Sequence, residues 1–325
     1  MQALSFYLLY PIIYVIASLP FRVLYIFSDF LYYLIRLSGY RREVVLANLR
    51  NSFPEKSPAD INTLCNNYYR YLCDLILETL KTLTMTEKET RERVKFHNTD
   101  WLDKLYQEKN SIMIVMGHYG NWEWAGPSFA LSTKFRLIVI YRPLSNVYFE
   151  KMMTRMRTKF GTRITPVDKT LRDMVSYRNE ITATAFIADQ TATKKNAYWT
   201  TFLNQDTAVF TGPEKLSKKF NYPLVYMNVH RVRRGYYDII PELLFEKPEN
   251  TGENEISEAF IKRLEMEIKS DPTPWLWSHK RWKHKRITTA GSINPANFAV
   301  PNEKQKRPAA GEQTVYPGEQ NQKLA

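Results

Sequence analysis

Four short apolar runs, rich in β-branched residues, constrain the fold of this chain more than any other feature. Helical stretches separate the first three of these runs, which span residues 112–116, 137–141, 181–188 and 224–229. Strands that alternate with helices are typical of a mainly parallel sheet. The sequence therefore predicts an α/β fold in which helices flank a mainly parallel central sheet. The later segment "YYDIIPELLF" is a candidate for a further strand.

Polar residues follow the first three runs at the point where each run ends. The first run leads into Gly117 and His118, the second into Arg142, and the third into Asp189 and Gln190. In open α/β sheets the active site lies beyond the carboxyl ends of the strands, so we expect these side chains at one edge of the sheet. A histidine, an arginine and a carboxylate at the same edge predict a catalytic site.

The stretch "GHYGNWEW" places Glu123 five residues after His118. On a straight helix two such residues would lie about 140° apart, so a contact between them requires a turn. Gly120 permits that turn, and Asn121 is a candidate N-cap for a helix that begins just before Glu123. Glu123 can then hold one imidazole N–H, so that the other ring nitrogen deprotonates a hydroxyl. The alternative is a structural histidine that a nearby carboxylate satisfies.

The N-terminal stretch "ALSFYLLYPIIYVIASL", residues 3–19, carries no charge and is close to the length that spans a bilayer. No Lys or Arg precedes Arg22, which argues against a cleaved signal peptide. We therefore expect residues 1–40 to form a membrane-associated helical segment. Arg41 and Arg42 place the following domain in the cytoplasm by the positive-inside rule. A helical hairpin buried in the domain is the alternative.

Composition divides the rest of the chain in two. Residues 41–287 hold the apolar runs and are expected to form the catalytic α/β domain. Residues 288–325 are rich in Pro, Gly, Asn, Gln and Lys and have few apolar side chains, so we expect a disordered tail.

A long helix is predicted within this domain, over residues 57–83. Ser57 is a plausible N-cap and Pro58 suits the first helical position. Apolar residues then recur at intervals of three and four, as on the buried face of a helix. The two cysteines of the chain, Cys65 and Cys73, lie about 12 Å apart along the axis of this helix, too far for a disulfide.

The charge balance of the chain indicates an anionic partner. Lys and Arg total 46 against 33 Asp and Glu, a formal net charge of +13. Near residue 280, His279 and His284 bracket a basic run, "KRWK". A metal site there would lack a third ligand at a suitable spacing. Contact with anionic lipid headgroups, docking of an acidic protein and a solvated charged face all stay open for this run.

These motifs together resemble the late acyltransferases of lipid A biosynthesis, the lauroyl and myristoyl transferase group of the glycerolipid and lysophospholipid acyltransferase superfamily. The signature of the group is His followed five positions later by Asp or Glu, which His118 and Glu123 match. Other blocks resemble those of the group in the same order: "YRREVVLANLRNSFPE", "YRPLSN", "RTKFGTRITP", "ADQ", "FTGPEKLSKKFNYPLV" and "WLWSHKRWKHK". The resemblance runs from the N-terminus to about residue 286.

The resemblance implies an enzyme of the bacterial inner membrane, with its catalytic domain on the cytoplasmic side. It would move a fatty acyl chain from a carrier thioester, on acyl carrier protein or CoA, to a hydroxyl of a lipid acceptor. His118 would be the general base, Glu123 its orienting partner, and Arg142 and Asn146 contacts for acceptor phosphate. Further residues expected to shape the pocket are Asn121, Asp189, Gln190, Gly212 and Glu214. No metal or cofactor is expected, since a thioester is already activated, and we expect a monomer.

The identity of the acceptor stays open at this point. A lipid A precursor is favoured, and a lysophospholipid or an amino-acid lipid is the alternative within the superfamily. A rival enzyme is a lipid hydrolase that uses His118 and Glu123 to activate water. A nucleic-acid-binding protein would use the same positive charge, but it has no use for an apolar N-terminus, and the sequence carries no recognised nucleic-acid-binding motif.

Overall fold

The alternation of strands and helices is present in the computed structural model, which describes residues 2–192 and 197–286. The described part contains eleven α-helices: α1 (Gln2–Ser18), α2 (Phe21–Ser38), α3 (Arg42–Ser52), α4 (Pro58–Lys81), α5 (Glu87–Arg93), α6 (Asp100–Gln107), α7 (Trp122–Ser132), α8 (Val147–Arg157), α9 (Thr170–Ser176), α10 (Gly212–Phe220) and α11 (Glu255–Ser270). It also contains nine strands: β1 (Val94–Phe96), β2 (Ile112–Met116), β3 (Arg136–Tyr141), β4 (Arg163–Pro166), β5 (Thr182–Ile187), β6 (Tyr198–Phe202), β7 (Gln205–Val209), β8 (Leu224–Arg233) and β9 (Tyr236–Phe245). The tail expected to be disordered lies outside the described residues.

A seven-stranded sheet forms the centre of the fold, in the order β1-β9-β8-β2-β5-β3-β4. Neighbouring strands run parallel except β8 and β9, which form an antiparallel pair. The four apolar runs of the sequence are β2, β3, β5 and β8, and "YYDIIPELLF" is β9. The predicted α/β class with a mainly parallel sheet is therefore confirmed. Strands β6 and β7 form a separate antiparallel ribbon.

Strand β2 lies between β8 and β5 and is buried along its whole length. Met113 and Val115 pack into one apolar cluster, whereas Ile112, Ile114 and Met116 pack into a second cluster. Alternate side chains of a strand point to opposite faces of its sheet. Burial on both faces explains why the sequence of β2 is apolar throughout instead of alternating.

Helix α4 begins and ends close to the predicted bounds. The hydroxyl of Ser57 accepts a hydrogen bond from the backbone N–H of Asp60, and Pro58 stands in the first turn. Cys65 and Cys73 are buried free thiols on this helix. The capping and periodicity arguments from the sequence are therefore confirmed for α4.

Two buried carboxylates of α4 join it to the rest of the fold, and the first is Glu78. It accepts hydrogen bonds from the Tyr25 hydroxyl of α2 at 2.8 Å, the Tyr237 hydroxyl of β9 at 2.7 Å and the Asn121 amide at 2.8 Å. Burial raises the pKa of Glu78, and the hydrogen bonds from Tyr237 and Tyr25 oppose that rise. Glu78 therefore ties α2, α4, β9 and the segment before α7 together.

The second carboxylate is Asp74, one turn earlier on α4. It accepts a hydrogen bond from Ser28 of α2 at 2.6 Å and forms ion pairs with Arg231 and Arg234, each at 2.6 Å. Arg234 also pairs with Asp29 of α2 at 2.7 Å. These contacts connect α2 and α4 to the β8–β9 hairpin.

The N-terminal helices leave much of their apolar surface exposed. Helix α1 contains Pro11, and Ala17 is its one buried residue among those described. The exposed large apolar side chains of α1 and α2 are Leu4, Tyr7, Leu8, Leu9, Ile12, Tyr14, Val15, Val23, Ile26, Phe27, Phe30, Tyr33, Leu34 and Leu37. None of the described helices is both long enough and apolar enough to span a bilayer. Membrane attachment through residues 1–40 stays a prediction.

Removal of the Glu78 carboxylate should destabilise the protein strongly. In Glu78→Ala three buried donors lose their acceptor, and we expect the free energy of unfolding to fall by at least about 3 kcal/mol. The matched control is Glu92→Ala on α5, whose carboxylate is solvent-exposed; this change should cost less than about 0.5 kcal/mol. Urea unfolding of both variants measures the difference. Equal stability of the two variants would contradict the role assigned to Glu78.

Candidate functional site

His118 and Asp189 leave the sheet side by side. Strands β2 and β5 are parallel neighbours, with Met116 paired to Ile187, and the Ala188 N–H donates to the Met116 carbonyl. His118 lies two positions after Met116, and Asp189 lies two positions after Ile187. The register of the two strands therefore brings their side chains together. The predicted meeting of a histidine and a carboxylate at one edge of the sheet is present.

The Asp189 carboxylate holds the His118 imidazole in one orientation. Asp189 Oδ1 lies 2.5 Å from His118 Nδ1, and Oδ2 accepts from the His118 backbone N–H at 2.9 Å and from the Trp275 indole N–H at 2.8 Å. Burial acts to raise the pKa of Asp189, but the charge of His118 and these hydrogen bonds outweigh it and lower the pKa to about 2. Asp189 is therefore an ionised acceptor that favours the tautomer with a proton on Nδ1.

The second ring nitrogen of His118 faces a cavity. Its Nε2 lies 3.1 Å from the side-chain nitrogen of Gln190, and His118 and Gln190 both line the cavity wall. With Nδ1 protonated, Nε2 carries the lone pair. The ring also makes an edge contact with Trp122, with ring centroids 5.1 Å apart. His118 is thus arranged to accept a proton from a group bound in the cavity.

The hydrogen bond predicted between His118 and Glu123 is absent from the described contacts, and Asp189 takes its place. Glu123 instead binds Arg157 of α8 through two hydrogen bonds, at 2.6 and 3.1 Å. The reason lies in the local fold: Glu123 stands in the first turn of α7 beside α8, whereas Asp189 arrives on the neighbouring strand in register. The contact predicted from the five-residue spacing was wrong, although Glu123 and His118 line the same cavity.

The turn predicted after His118 is present. Gly120 has φ +58°, and a Cβ there would lie 2.2 Å from the Val229 carbonyl oxygen. The Asn121 side chain caps α7 by accepting from the Trp124 N–H at 3.0 Å, as predicted. Its amide donates to Glu78, and Asn121 is fully buried. Asn121 therefore fixes the start of α7 and is not part of the cavity wall.

The cavity in front of His118 has a volume of about 360 Å³, within the range typical of ligand pockets. Its polar lining residues are His118, Glu123, Tyr141, Arg142, Arg157, Thr162, Gln190, Thr191, His279 and Lys283. Its apolar lining includes Trp122, Pro127, Val139, Ile140, Val167, Phe186, Ile187, Ala188, Ala192 and Phe210. A site of this kind suits a ligand that has both an anionic part and a hydrocarbon part.

Besides Asn121, three further residues predicted for the pocket lie elsewhere. Asn146 caps α8 by accepting from the backbone N–H groups of its first turn. Glu214 is buried and accepts from Asn254 and Ser257 at the start of α11. Gly212 packs closely against the ring of Phe210, which does line the cavity. The observed contacts give these three residues structural roles.

No feature of the sequence had placed Arg157, His279 or Trp275 in the same site as His118. Arg157 stands in the last turn of α8, where a basic residue is ordinary. Trp275 and His279 belong to the segment after α11, whose nearness to β2 and β5 depends on tertiary packing. Burial lowers the pKa of His279 to about 4, so its imidazole is neutral at pH 7. The sequence had singled out this segment for its basic run and for the motif resemblance around "WLWSHKRWKHK", without placing it at the dyad.

Within the described ranges no group of three or more His, Cys, Asp or Glu side chains is arranged to hold a metal ion. His118 and Asp189 bind each other, and the cations of the cavity wall are side chains of Arg and Lys. The donor set therefore fits proton transfer and anion binding.

Comparison with known proteins identifies relatives over most of the chain. The family model described as bacterial lipid A biosynthesis acyltransferase matches residues 2–284. The lipid A biosynthesis palmitoleoyltransferase of Escherichia coli (strain K12) is 24% identical over 252 residues, which cover 76% of this chain and 80% of that protein. The lipid A biosynthesis acyltransferase of Shigella flexneri shows the same identity and coverage.

Alanine at Gly120 should damage the turn that follows His118. The positive φ and the contact with the Val229 carbonyl both oppose a side chain, so we expect Gly120→Ala to lower the free energy of unfolding by more than about 2 kcal/mol. Gly126→Ala in α7 is the control, since a Cβ there meets only Leu137 at 3.8 Å. That variant should match or exceed wild-type stability in urea unfolding. A Gly120→Ala protein as stable as Gly126→Ala would contradict this account.

The neutral state of buried His279 should make stability depend on pH. Its folded-state pKa of about 4 lies below the ordinary value of 6.5, so the unfolded chain takes up this proton first as the pH falls. The stabilising contribution is therefore present above pH 6.5 and is lost between pH 6.5 and 4. In His279→Gln this part of the pH dependence should disappear. Urea unfolding across that range measures it, with exposed His230→Gln as the control; a wild-type slope in His279→Gln would contradict it.

Proposed function

The chain belongs to the bacterial lipid A biosynthesis acyltransferase family, and we propose that it moves a fatty acyl chain from a carrier thioester to a hydroxyl of a lipid A precursor. Family membership makes it an acyltransferase. The observation that carries the proposed mechanism is the Asp189–His118 pair, whose free imidazole nitrogen opens into a cavity with cationic and apolar walls.

His118 acts as the general base in this mechanism. Its Nε2 takes the proton of the acceptor hydroxyl while the hydroxyl oxygen attacks the thioester carbonyl carbon. A C–O bond forms, the C–S bond breaks, and the departing thiolate takes the proton back from the imidazolium. Asp189 keeps the proton on Nδ1 throughout and stabilises the positive charge that develops on the ring. Asp189 thereby takes the orienting role that the sequence analysis had assigned to Glu123.

The cations of the cavity wall receive the anionic parts of the substrates. Arg157 is already neutralised by Glu123, with the two side chains 26% and 15% exposed. Arg142 and Lys283 line the cavity and form no ion pair within the described residues. We assign these two to phosphate on the acceptor, because unpaired guanidinium and ammonium groups bind phosphate oxygens. Glu123 remains in the active site as the partner of Arg157.

The apolar lining residues of the cavity are suited to the acyl chain. Val139 and Ile140 of β3, Phe186 of β5 and Phe210 contribute to that lining. The donor is an acyl thioester of carrier protein or of CoA. The basic residues that follow His279, including Lys280 and Lys285, favour an acidic carrier protein as the donor.

The exposed apolar side chains of α1 and α2 support attachment to a lipid bilayer. Phe6 of α1 stacks on Tyr148 of α8 and makes an edge contact with Phe149, so this helix lies beside the element that contributes Arg157 to the cavity. Attachment through α1 and α2 would keep the cavity close to its lipid acceptor. We place the enzyme at the cytoplasmic face of the bacterial inner membrane, next to anionic headgroups that its net positive charge favours.

Substitution of the dyad should abolish transfer. We expect His118→Ala to lower kcat by about 10³-fold and Asp189→Asn by at least about 10²-fold, because the base and its tautomer are lost. Asp238→Asn is the matched control, since Asp238 pairs with His97 at 3.1 Å on the surface, away from the cavity. The assay incubates purified enzyme in detergent with acyl carrier protein thioester and a lipid A precursor, and mass spectrometry detects the product.

Three results of that assay would contradict the proposal. Unchanged turnover in His118→Ala would exclude His118 as the base. An active Asp189→Asn beside an inactive Glu123→Gln would return the orienting role to Glu123. Free fatty acid without acylated lipid would favour a hydrolase, and a panel that includes lysophospholipid and amino-acid lipid acceptors tests the choice of acceptor.

A further inference from the structure

The segment that follows α11, residues 271–286, crosses the edge of the sheet where the dyad lies; we call it the strap. Two consecutive residues of the strap contact the two halves of the dyad. The Trp275 indole N–H donates to Asp189 Oδ2 at 2.8 Å, and the Leu276 backbone N–H donates to the His118 carbonyl at 3.1 Å. Tyr119 also forms an isolated β-bridge with Trp275. The strap thus holds both catalytic positions from one side.

The indole contact decides how the Asp189 carboxylate is oriented. Oδ2 accepts from Trp275 and from the His118 backbone N–H, which leaves Oδ1 for the imidazole Nδ1. Asp189 and Trp275 are each 2% exposed. Water has little access to Oδ2, so loss of the indole donor would leave a buried carboxylate oxygen with one donor fewer.

The Trp275 ring is itself fixed by packing. Its centroid lies 4.6 Å from that of Trp277, 5.7 Å from that of Phe202 and 5.9 Å from that of Trp282. Each of these contacts is edge-on, an arrangement that aromatic pairs prefer. The indole N–H is therefore aimed at Asp189 by a rigid aromatic cluster.

Helices α3 and α4 anchor the strap on its other side. The Asn48 amide donates to the carbonyls of Trp277 and His279 at 2.8 and 3.0 Å, and the Ser278 N–H donates to the Tyr68 hydroxyl at 3.0 Å. All of these groups lie in the N-terminal part of the chain or in the strap. Contacts with α3 and α4 thus hold the strap in addition to its contacts with the dyad.

We infer that Trp275 is a positioning residue for acyl transfer, which acts through Asp189 to keep Oδ1 on the His118 imidazole. This inference rests on the proposed function, in which His118 is the base. Trp275 is not among the described residues that line the cavity, so we assign it no direct contact with the substrate. Its loss should change the rate of proton transfer and leave substrate binding intact.

Trp277 supplies a matched control within the strap. It is fully buried, and its indole N–H donates to the Pro272 carbonyl, which belongs to the strap itself. Trp275→Phe and Trp277→Phe therefore remove the same kind of donor from the same aromatic cluster, but only Trp275→Phe removes a donor from the dyad. A third variant carries 3-benzothienylalanine at position 275, which keeps the shape of the indole and replaces only its N–H by sulfur.

The experiment compares the full-length variants in the acyl-transfer assay as a function of pH. Trp275→Phe and the benzothienyl variant should lower kcat about tenfold. This is the lower end of the loss seen when a partner that orients a metal-bound histidine is removed, and we expect a similar effect for a partner of the dyad. KM for both substrates should stay within about twofold. The acid limb of the kcat/KM profile should move to higher pH, because Asp189 with one donor fewer stabilises the imidazolium more strongly. Trp277→Phe should keep the wild-type kcat and acid limb.

Three results would overturn the inference: a Trp277→Phe protein with the same loss of kcat, a loss confined to KM, or an acid limb that stays at its wild-type position in both variants at 275. If Trp275→Phe fails to fold, the kcat and the acid limb of the benzothienyl variant alone test the inference. His118→Ala in the same assay separates the two proposals. If His118→Ala is active, the proposed function itself is wrong. If His118→Ala is inactive and the benzothienyl variant behaves like wild type, only the role of Trp275 is wrong.

Discussion

The parallel pairing of β2 with β5 is the constraint on which the rest of the site depends. Because Met116 pairs with Ile187, the residues two positions further along each strand, His118 and Asp189, emerge next to each other. A slip of one residue in this register would turn one of the two side chains to the opposite face of the sheet. Burial of β2 on both faces holds the register in place. The geometry of the dyad is therefore a property of the sheet.

A buried carboxylate beside a histidine is costly unless it is fully hydrogen-bonded. Asp189 meets that requirement with three donors, of which two come from His118 itself and one from Trp275. Those donors keep its pKa at about 2 in spite of burial. The same donors that remove the penalty of burial also fix the orientation of the carboxylate. Stability and catalytic geometry thus have a common origin at this position.

A second buried acid connects the active site to the N-terminal helices. Glu78 accepts from Tyr25 of α2 and from Asn121, and Asn121 caps the helix that carries Glu123. The helices proposed to contact the bilayer and the helix that borders the cavity are thus joined through one carboxylate. This connection fixes the position of the apolar surface of α2 relative to the cavity.

The sequence by itself determined the fold class, the strands β2, β3, β5 and β8, the caps at Ser57 and Asn121, and the turn at Gly120, because these depend on local propensity and periodicity. It also identified His118, Arg142 and Gln190 as cavity residues, since the ends of parallel strands share one edge. Only the tertiary structure decided that Asp189 and not Glu123 binds His118, that Glu214 caps α11, and that the strap reaches the dyad. Those contacts join residues 30 to 90 positions apart or more, and strand register and packing, which no spacing rule encodes, bring them together.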